Sequence, residues 1–325
     1  MIDGKGRTID YLRLSVTDRC NLRCLYCMPE CGVEPLRHGQ IMRFEEMLRL
    51  CSIMAGLGVT KFKISGGEPL VRRGVADFIH DLKRLPGVEQ VTLTTNGLLL
   101  AEYLPQLRSA PIDGINISLD TLKPQTYSRL TRRGCLEQVL AGLEAALASG
   151  LRPLKLNTVL LRGVNDNEIE SLAAISQKNP VSLRFIELMP IGLGVDYQPV
   201  PGQEVLQRLT AAFGPPETCR VRLGNGPASY YSFPGFQAQI GLIDAVSHGF
   251  CSCCNRVRMT ADGWLKLCLQ YDVGVDLLSP LRAGAGEREL RELVLEAVRH
   301  KPEKHSFGAS GIDHRESKNM NAIGG

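Results

Sequence analysis

Six cysteines in two groups of three are the residues of this chain best suited to chemistry. They are Cys20, Cys24 and Cys27 in C-N-L-R-C-L-Y-C, and Cys251, Cys254 and Cys268 towards the other end. A structural zinc site is closed by four ligands, so each group is one thiolate short of it. Three thiolates do suit a four-iron cluster whose fourth iron stays open to a further ligand, and two such clusters imply redox chemistry at both ends of one cavity. Zinc is the alternative for each group, completed by Cys31 in the first and Cys253 in the second. Adjacent side chains at 253 and 254 rarely converge on one small ion, which favours the set 251, 254 and 268.

Other polar residues gather where strands are expected to end: Gly66-Gly67-Glu68-Pro69, Thr95-Asn96, Ser118 with Asp120, Asn157 and Glu187. Glycines let a ligand approach the backbone closely, and Glu68 with nearby carbonyls could accept from an ammonium group. Thr95 and Asn96 suit a plain capping or turn role equally well. In Asn255-Arg256-Val257-Arg258, strand alternation puts both arginines on one face. The histidines show no ligand spacing, and Trp264 reads as packing.

These residues need a scaffold that brings strand ends together. Strands are expected at Tyr11–Thr17, Lys61–Ser65, Gln90–Thr95, Ile112–Leu119, Leu154–Leu161 and Val181–Leu188. Helices are expected at Arg43–Leu57, Val75–Leu85, Leu136–Ser149, from about Glu168 under an Asn165-Asp166-Asn167 cap, and at Gln203–Phe213. Strand–helix alternation implies parallel strands with right-handed crossovers. Six units without a seventh and eighth predict an α/β fold, an incomplete (β/α)6 TIM-type barrel, whose catalytic face is the edge where the polar residues fall. Residues 1–215 would form that barrel. Residues 216–325 would form an auxiliary domain over its mouth, with short strands at Ala228–Ser232 and Gln237–Ile243, a hairpin through Ala261-Asp262-Gly263 and a helix at Glu287–His300. By polarity alone the end of the chain reads as a frayed tail.

Composition narrows the class. A net charge of +4 over 325 residues is too small to argue for nucleic acid, although clustered Lys and Arg can focus on an anion. No apolar run approaches the roughly 18 residues of a membrane span, and the polar start M-I-D-G-K-G-R-T-I-D is no secretion signal. Eleven cysteines, an odd number in groups of three, fit metal ligation in a reducing cytoplasm better than a disulfide framework. Cys51 falls on the apolar face of a helix and reads as core, and Cys135 and Cys219 as ordinary thiols.

The Cys-x3-Cys-x2-Cys loop followed by Gly-Gly-Glu-Pro resembles the radical S-adenosylmethionine superfamily. The resemblance implies that the open iron chelates the methionine end of S-adenosylmethionine, and that an electron from the reduced cluster releases a 5′-deoxyadenosyl radical. Tyr26 matches the usual aromatic of the loop, and Thr95, Asn96 and Ser118 would line the cofactor. Four segments carry the likeness further: Y-L-R-L-S-V-T-D-R-C-N-L-R-C-L-Y-C-M-P, I-S-G-G-E-P-L, R-F-I-E-L-M-P and C-N-R-V-R-M-T-A-D-G-W-L-K-L-C-L. Together with the closing Gly324-Gly325 they are similar to the GTP 3′,8-cyclase (molybdenum cofactor biosynthesis protein A) family over essentially the whole chain.

That likeness implies two [4Fe-4S] clusters, the first making the radical that takes the 3′ hydrogen of GTP and the second holding the guanine. Arg13, Lys61, Lys63, Lys155, Arg184, Arg256 and Arg258 match substrate-pocket positions of the family, and converging cations suit a triphosphate. Lys63 stands where the family usually has arginine, keeping the charge and losing the fork. The final Gly324 and Gly325 would reach into the site and be required for cyclisation. The implied partners are a reductant such as flavodoxin or ferredoxin and a downstream cyclic pyranopterin monophosphate synthase, with a homodimer as the assembly to test. The competing readings are a peptide-modifying radical enzyme with an auxiliary cluster, and a two-zinc interaction or nucleic-acid module.

Overall fold

The computed structural model describes residues 1–219, 223–247, 249–307, 316 and 318–324. Six strand–helix units run through the first part of the chain. The strands are β1 (Tyr11–Ser15), β2 (Lys61–Ser65), β3 (Gln90–Thr95), β4 (Ile115–Ser118), β5 (Leu154–Leu160) and β6 (Ser182–Glu187). The helices are α1 (Phe44–Gly56), α2 (Val75–Lys83), α3 (Leu100–Ser109), α4 (Pro124–Thr131), α5 (Leu136–Ala148), α6 (Ile169–Lys178) and α7 (Gly202–Phe213). Alternation along each strand sends residues such as Phe62 and Ile64 to the helix side, where they join one continuous apolar core. Lys61, Lys63 and Ser65 therefore face the other way.

Beyond α7 the chain adds β7 (Glu217–Thr218), β8 (Ser229–Ser232), β9 (Ile240–Ile243), β10 (Arg256–Met259), β11 (Trp264–Lys266), β12 (Gly274–Asp276), α8 (Leu278–Arg282) and α9 (Glu287–Arg299). All strands join one open sheet in the order β12-β11-β10-β1-β2-β3-β4-β5-β6-β9-β8-β7. The incomplete barrel is thus present, and it is wider than its six repeats. Strand β9 lies parallel to β6, and β10 lies parallel to β1. The later residues extend the barrel sheet at both edges, with antiparallel hairpins outside them.

Two helices, α3 and α4, have no counterpart in the hydrophobic pattern. Pro105 interrupts α3, and α4 is short and mostly polar. The expected cap before α6 also differs. Asn165 makes no cap hydrogen bond; its Oδ1 accepts from Leu161 N at 2.8 Å, and its Nδ2 donates to Asp120 O at 2.8 Å and Val159 O at 2.9 Å. Fully buried, it ties the ends of β4 and β5 together, which a buried amide does more usefully than capping an exposed turn.

The hairpin edge is fastened to the barrel helices by Glu46 on α1. Its carboxylate takes Arg282 Nε and Nη2, both at 2.9 Å, and the Arg43 backbone at 2.7 Å. The bond from Arg282, with those from Arg43, lowers its pKa to about 2. A depressed carboxylate pKa stabilises the fold above its unfolded value and loses that contribution as pH falls through the folded one. Replacing Glu46 by Gln should therefore cost about 1–2 kcal/mol at neutral pH, the lower part of the range for charged hydrogen bonds because Arg282 is partly exposed. Urea unfolding should show that difference shrinking as pH is lowered from about 4.5 towards 2.

Candidate functional site

The cysteine loop leaves the end of β1 and is held from two sides. Towards α4, Arg23 N donates to Thr131 O and Leu25 N to Leu130 O, both at 2.9 Å. Towards β2, Gly67 N donates to Thr17 O at 2.7 Å and Glu68 N to Arg19 O at 2.8 Å. A Cβ on Gly67 would lie 2.3 Å from Arg19 O, and one on Gly66 would lie 2.4 Å from Thr17 O. The glycines let two backbone segments touch, and they also line the cavity at the strand ends.

Glu68 is buried, and its carboxylate accepts from Thr95 Oγ1 at 2.7 Å, Asn96 N at 2.6 Å and Leu70 N at 3.0 Å. Burial raises its pKa to about 7. Its direct work is to lock the end of β3 against the cysteine loop. Thr95 and Asn96 accordingly have turn roles: Thr95 Oγ1 accepts from Gly97 N at 3.1 Å and Asn96 Oδ1 from Leu98 N at 3.1 Å. Asn96 Nδ2 also comes within 4.0 Å of Cys20 Sγ.

Cys20, Cys24, Tyr26, Cys27, Gly66, Gly67, Glu68, Thr95, Asn96 and Ser118 all line one cavity at the strand ends. Asp120 and Asn157, expected at this edge without a stated role, also line it, as do Ile186, Met189 and Met320, which sequence reasoning did not assign. Asp120 Oδ2 accepts from Tyr26 Oη at 2.7 Å and its Oδ1 from Val159 N at 2.8 Å, so this carboxylate fixes the aromatic of the loop. Its position just past Ser118 was the available signal. Glu187, by contrast, accepts from Val246 N and Ser247 N, both at 2.9 Å, and secures the loop after β9.

The second triad lines a neighbouring cavity with Phe250, Gln270, Lys301, His305, Arg256 and Arg258. Arg13, Arg258, Ile186 and Met189 belong to both cavities, so the two thiol groups look onto either side of one shared wall. The donor sets fit open-sided clusters. Cys31 and Cys253 are exposed, bond to their own loops and line neither cavity, leaving three thiols at each site. Burial raises Cys20 to about 11 and Cys27 to about 12, and lifts Cys24 well above its usual value; Glu68 adds to the first, and neighbouring sulfurs add to Cys24 and Cys27. Thiols raised in this way ionise at neutral pH only beside a positive partner of high charge.

The cations form a row across the sheet. Lys266 on β11, Arg258 on β10, Arg13 on β1 and Lys63 on β2 occupy one register. Burial and then Arg184, Arg13, Lys155 and Arg256 push Lys63 well below its usual value. Burial and neighbouring arginines lower Arg258 to about 9, and burial with Arg184 lowers Lys155 to about 8. Among the described residues Lys63, Lys155, Arg184, Arg256 and Arg258 form no ion pair. Lys61 differs in its partner, its ammonium lying 2.6 Å from Asp10 Oδ2 nearer the strand starts; Arg13, Arg256 and Arg258 line the two cavities, whereas Lys61, Lys63, Lys155 and Arg184 line neither. Lys155 Nζ donates to Leu223 O at 2.6 Å, and Arg184 Nε to Asn157 Oδ1 at 2.8 Å.

The end of the chain enters this site, which corrects the frayed-tail reading. Asn321 and Ile323 are each 1% exposed. Gly324 O accepts from Arg258 Nη1 at 2.7 Å. Gly325 lies outside the described residues.

Buried cations without carboxylate partners should bind a polyanion. Inorganic tripolyphosphate should raise the unfolding temperature of the protein. Lys155→Met should weaken that binding by roughly 10- to 100-fold, about 1.5–3 kcal/mol for a charged hydrogen bond. Calorimetric titration checks it; unchanged affinity would remove Lys155 from the anion pocket.

Two family models match successive parts of the chain. The Radical SAM superfamily model matches residues 14–174, and the Molybdenum Cofactor Synthesis C model matches residues 181–307. GTP 3′,8-cyclase of Pelotomaculum thermopropionicum is 44% identical over 328 residues, covering 100% of both chains. That of Moorella thermoacetica is 44% identical over 329 residues with the same coverage. Among solved structures, Streptococcus suis SuiB bound to S-adenosylmethionine superposes with a TM-score of 0.65 at 12% identity, over 90% of this chain and 68% of that one. At that identity the likeness concerns the fold.

Proposed function

We propose the reaction from one premise: the chain belongs to the GTP 3′,8-cyclase family of radical S-adenosylmethionine enzymes. It converts GTP to 3′,8-cyclo-7,8-dihydro-GTP, joining ribose C3′ to guanine C8, as the first step of molybdenum cofactor biosynthesis. The observation that carries this reading within the chain itself is the shared arginine wall between two open-sided thiol sites.

When bound, a reduced cluster on Cys20, Cys24 and Cys27 with S-adenosylmethionine supplies the hydrogen-abstracting radical. Among the described residues no group of three or more His, Cys, Asp or Glu side chains is arranged to hold a metal ion. The assignment of a second cluster to Cys251, Cys254 and Cys268 therefore rests on the makeup of its cavity. Tyr26, Gly66, Gly67, Glu68, Thr95, Asn96 and Ser118 form the wall against which S-adenosylmethionine would lie. Arg13, Lys63, Lys155, Arg184, Arg256 and Arg258 take the triphosphate, which holds the ribose between the two thiol sites. Gly324, beside Ser15, Ser65 and Arg258, brings side-chain-free backbone to the same point and helps exclude water.

A one-electron reductant of the flavodoxin or ferredoxin kind and a synthase that consumes the product complete the scheme. Eleven free thiols suit a reducing compartment such as the cytoplasm. A peptide substrate would leave Lys63, Lys155, Arg184, Arg256 and Arg258, which form no ion pair among the described residues, without a counterion, and a zinc module would need the exposed Cys31 and Cys253.

Anaerobic reconstitution should give brown protein with about eight irons per chain, falling to about four in Cys268→Ala. With GTP deuterated at ribose C3′, deuterium should appear in 5′-deoxyadenosine. Colourless protein, or 5′-deoxyadenosine without label, would refute the reading.

A further inference from the structure

We propose that the buried Lys266–Glu316 ion pair is the anchor that sets the register of the carboxy-terminal strap, delivering Gly324 to the cation row. Lys266 and Glu316 side chains are each 1% exposed, and Lys266 Nζ donates to Glu316 Oε2 and Tyr271 O. Glu316 has two further fixed bonds: its N–H donates to Gln270 O at 2.7 Å, and its Oε1 accepts from Lys318 N at 2.7 Å. Lys266 and Glu316 line neither thiol cavity, and their network reaches the second one only through Gln270, so both are positioning residues.

The strap meets the cation row twice. Lys266 is in register with Arg258, and side chains directly opposite on paired strands repel when they carry like charge. Glu316 neutralises the first of these cations, and Gly324 O accepts from the second at 2.7 Å. Between those points the chain circles the site. Asn319 packs on Gly192, Met320 lines the first cavity, and Asn321 Nδ2 donates to Asp18 O at 3.3 Å beside the cysteine loop. Apolar grip is slight, with Ile323 its one aliphatic residue at 1% exposure among those described. An ion pair with a single partner arrangement fixes such a strap where apolar contacts would let it slip by a residue.

This deepens the cyclase reading and rests on it for the activity arm of the test. The double variant Lys266→Met/Glu316→Leu replaces the pair by apolar groups of similar volume, a change that buried pairs tolerate in stability. Its unfolding temperature and iron content should stay near those of the native chain. Hydrogen exchange at the amides of residues 318–324 should quicken by about tenfold or more, with the rest of the map unchanged. Cyclised product per 5′-deoxyadenosine should fall about 10- to 100-fold while 5′-deoxyadenosine still forms. Native exchange and a native product ratio in a folded double variant would overturn the proposal. Should that variant not fold, Glu316→Gln keeps an acceptor and removes the charge; it should show the same two changes to a smaller degree, and no change in either would equally overturn it. If the native chain makes no cyclised product, the cyclase reading fails, while the exchange arm still decides the anchor.

Discussion

Four cations stand side by side on four adjacent strands: Lys266, Arg258, Arg13 and Lys63. Like charges opposite each other in a sheet oppose pairing, and burial raises their cost. The fold tolerates the row because β1, β2 and β10 are parallel strands backed by one apolar core, which holds them in register whatever their inner faces carry. Part of this charge is met within the protein, by Glu316 at one end and the Gly324 carbonyl beside it. What is left is a preorganised demand for an anion of several charges, set where two thiol groups approach from either side.

The thiol groups depend on a different kind of constraint. Each polar strand end is tied to its neighbour by a buried acceptor: Glu68 joins β2 to β3, Asp120 joins β4 to β5 and to Tyr26, Asn165 closes β5, and Glu187 secures the loop after β9. Each of these groups finds its partners inside the protein, so the mouth of the barrel is cross-tied by its own residues. Such ties matter there because hydrogen transfer between carbon atoms succeeds only at near-contact distance.

Much of this was legible in the residues. The cysteine spacing, the strand–helix alternation and the alternation of Arg256 with Arg258 each carry a local physical signal. What escaped was non-local. Register between β1 and β10 brings Arg13 beside Arg258 across most of the chain, and no window of sequence contains both. The donors that meet the carboxylates of Asp120 and Glu68 lie on other elements, so their tying roles could not be read locally. Helix α3 was hidden by Pro105, and the strap looked disordered because its polar residues are buried by a site built elsewhere. Lys61 and Lys63 share a face, and only the position of Asp10 separates their roles.

The central claim is that Arg258, Arg13 and Lys63 of this row, with Lys155, Arg184 and Arg256 beside them, are built for a triphosphate. The most direct measurement is equilibrium binding of GTP, GDP, GMP and guanosine to the anaerobically reconstituted protein at fixed salt. The account predicts that affinity rises steeply with each added phosphate and that added salt flattens the series. Guanosine binding as tightly as GTP would contradict it.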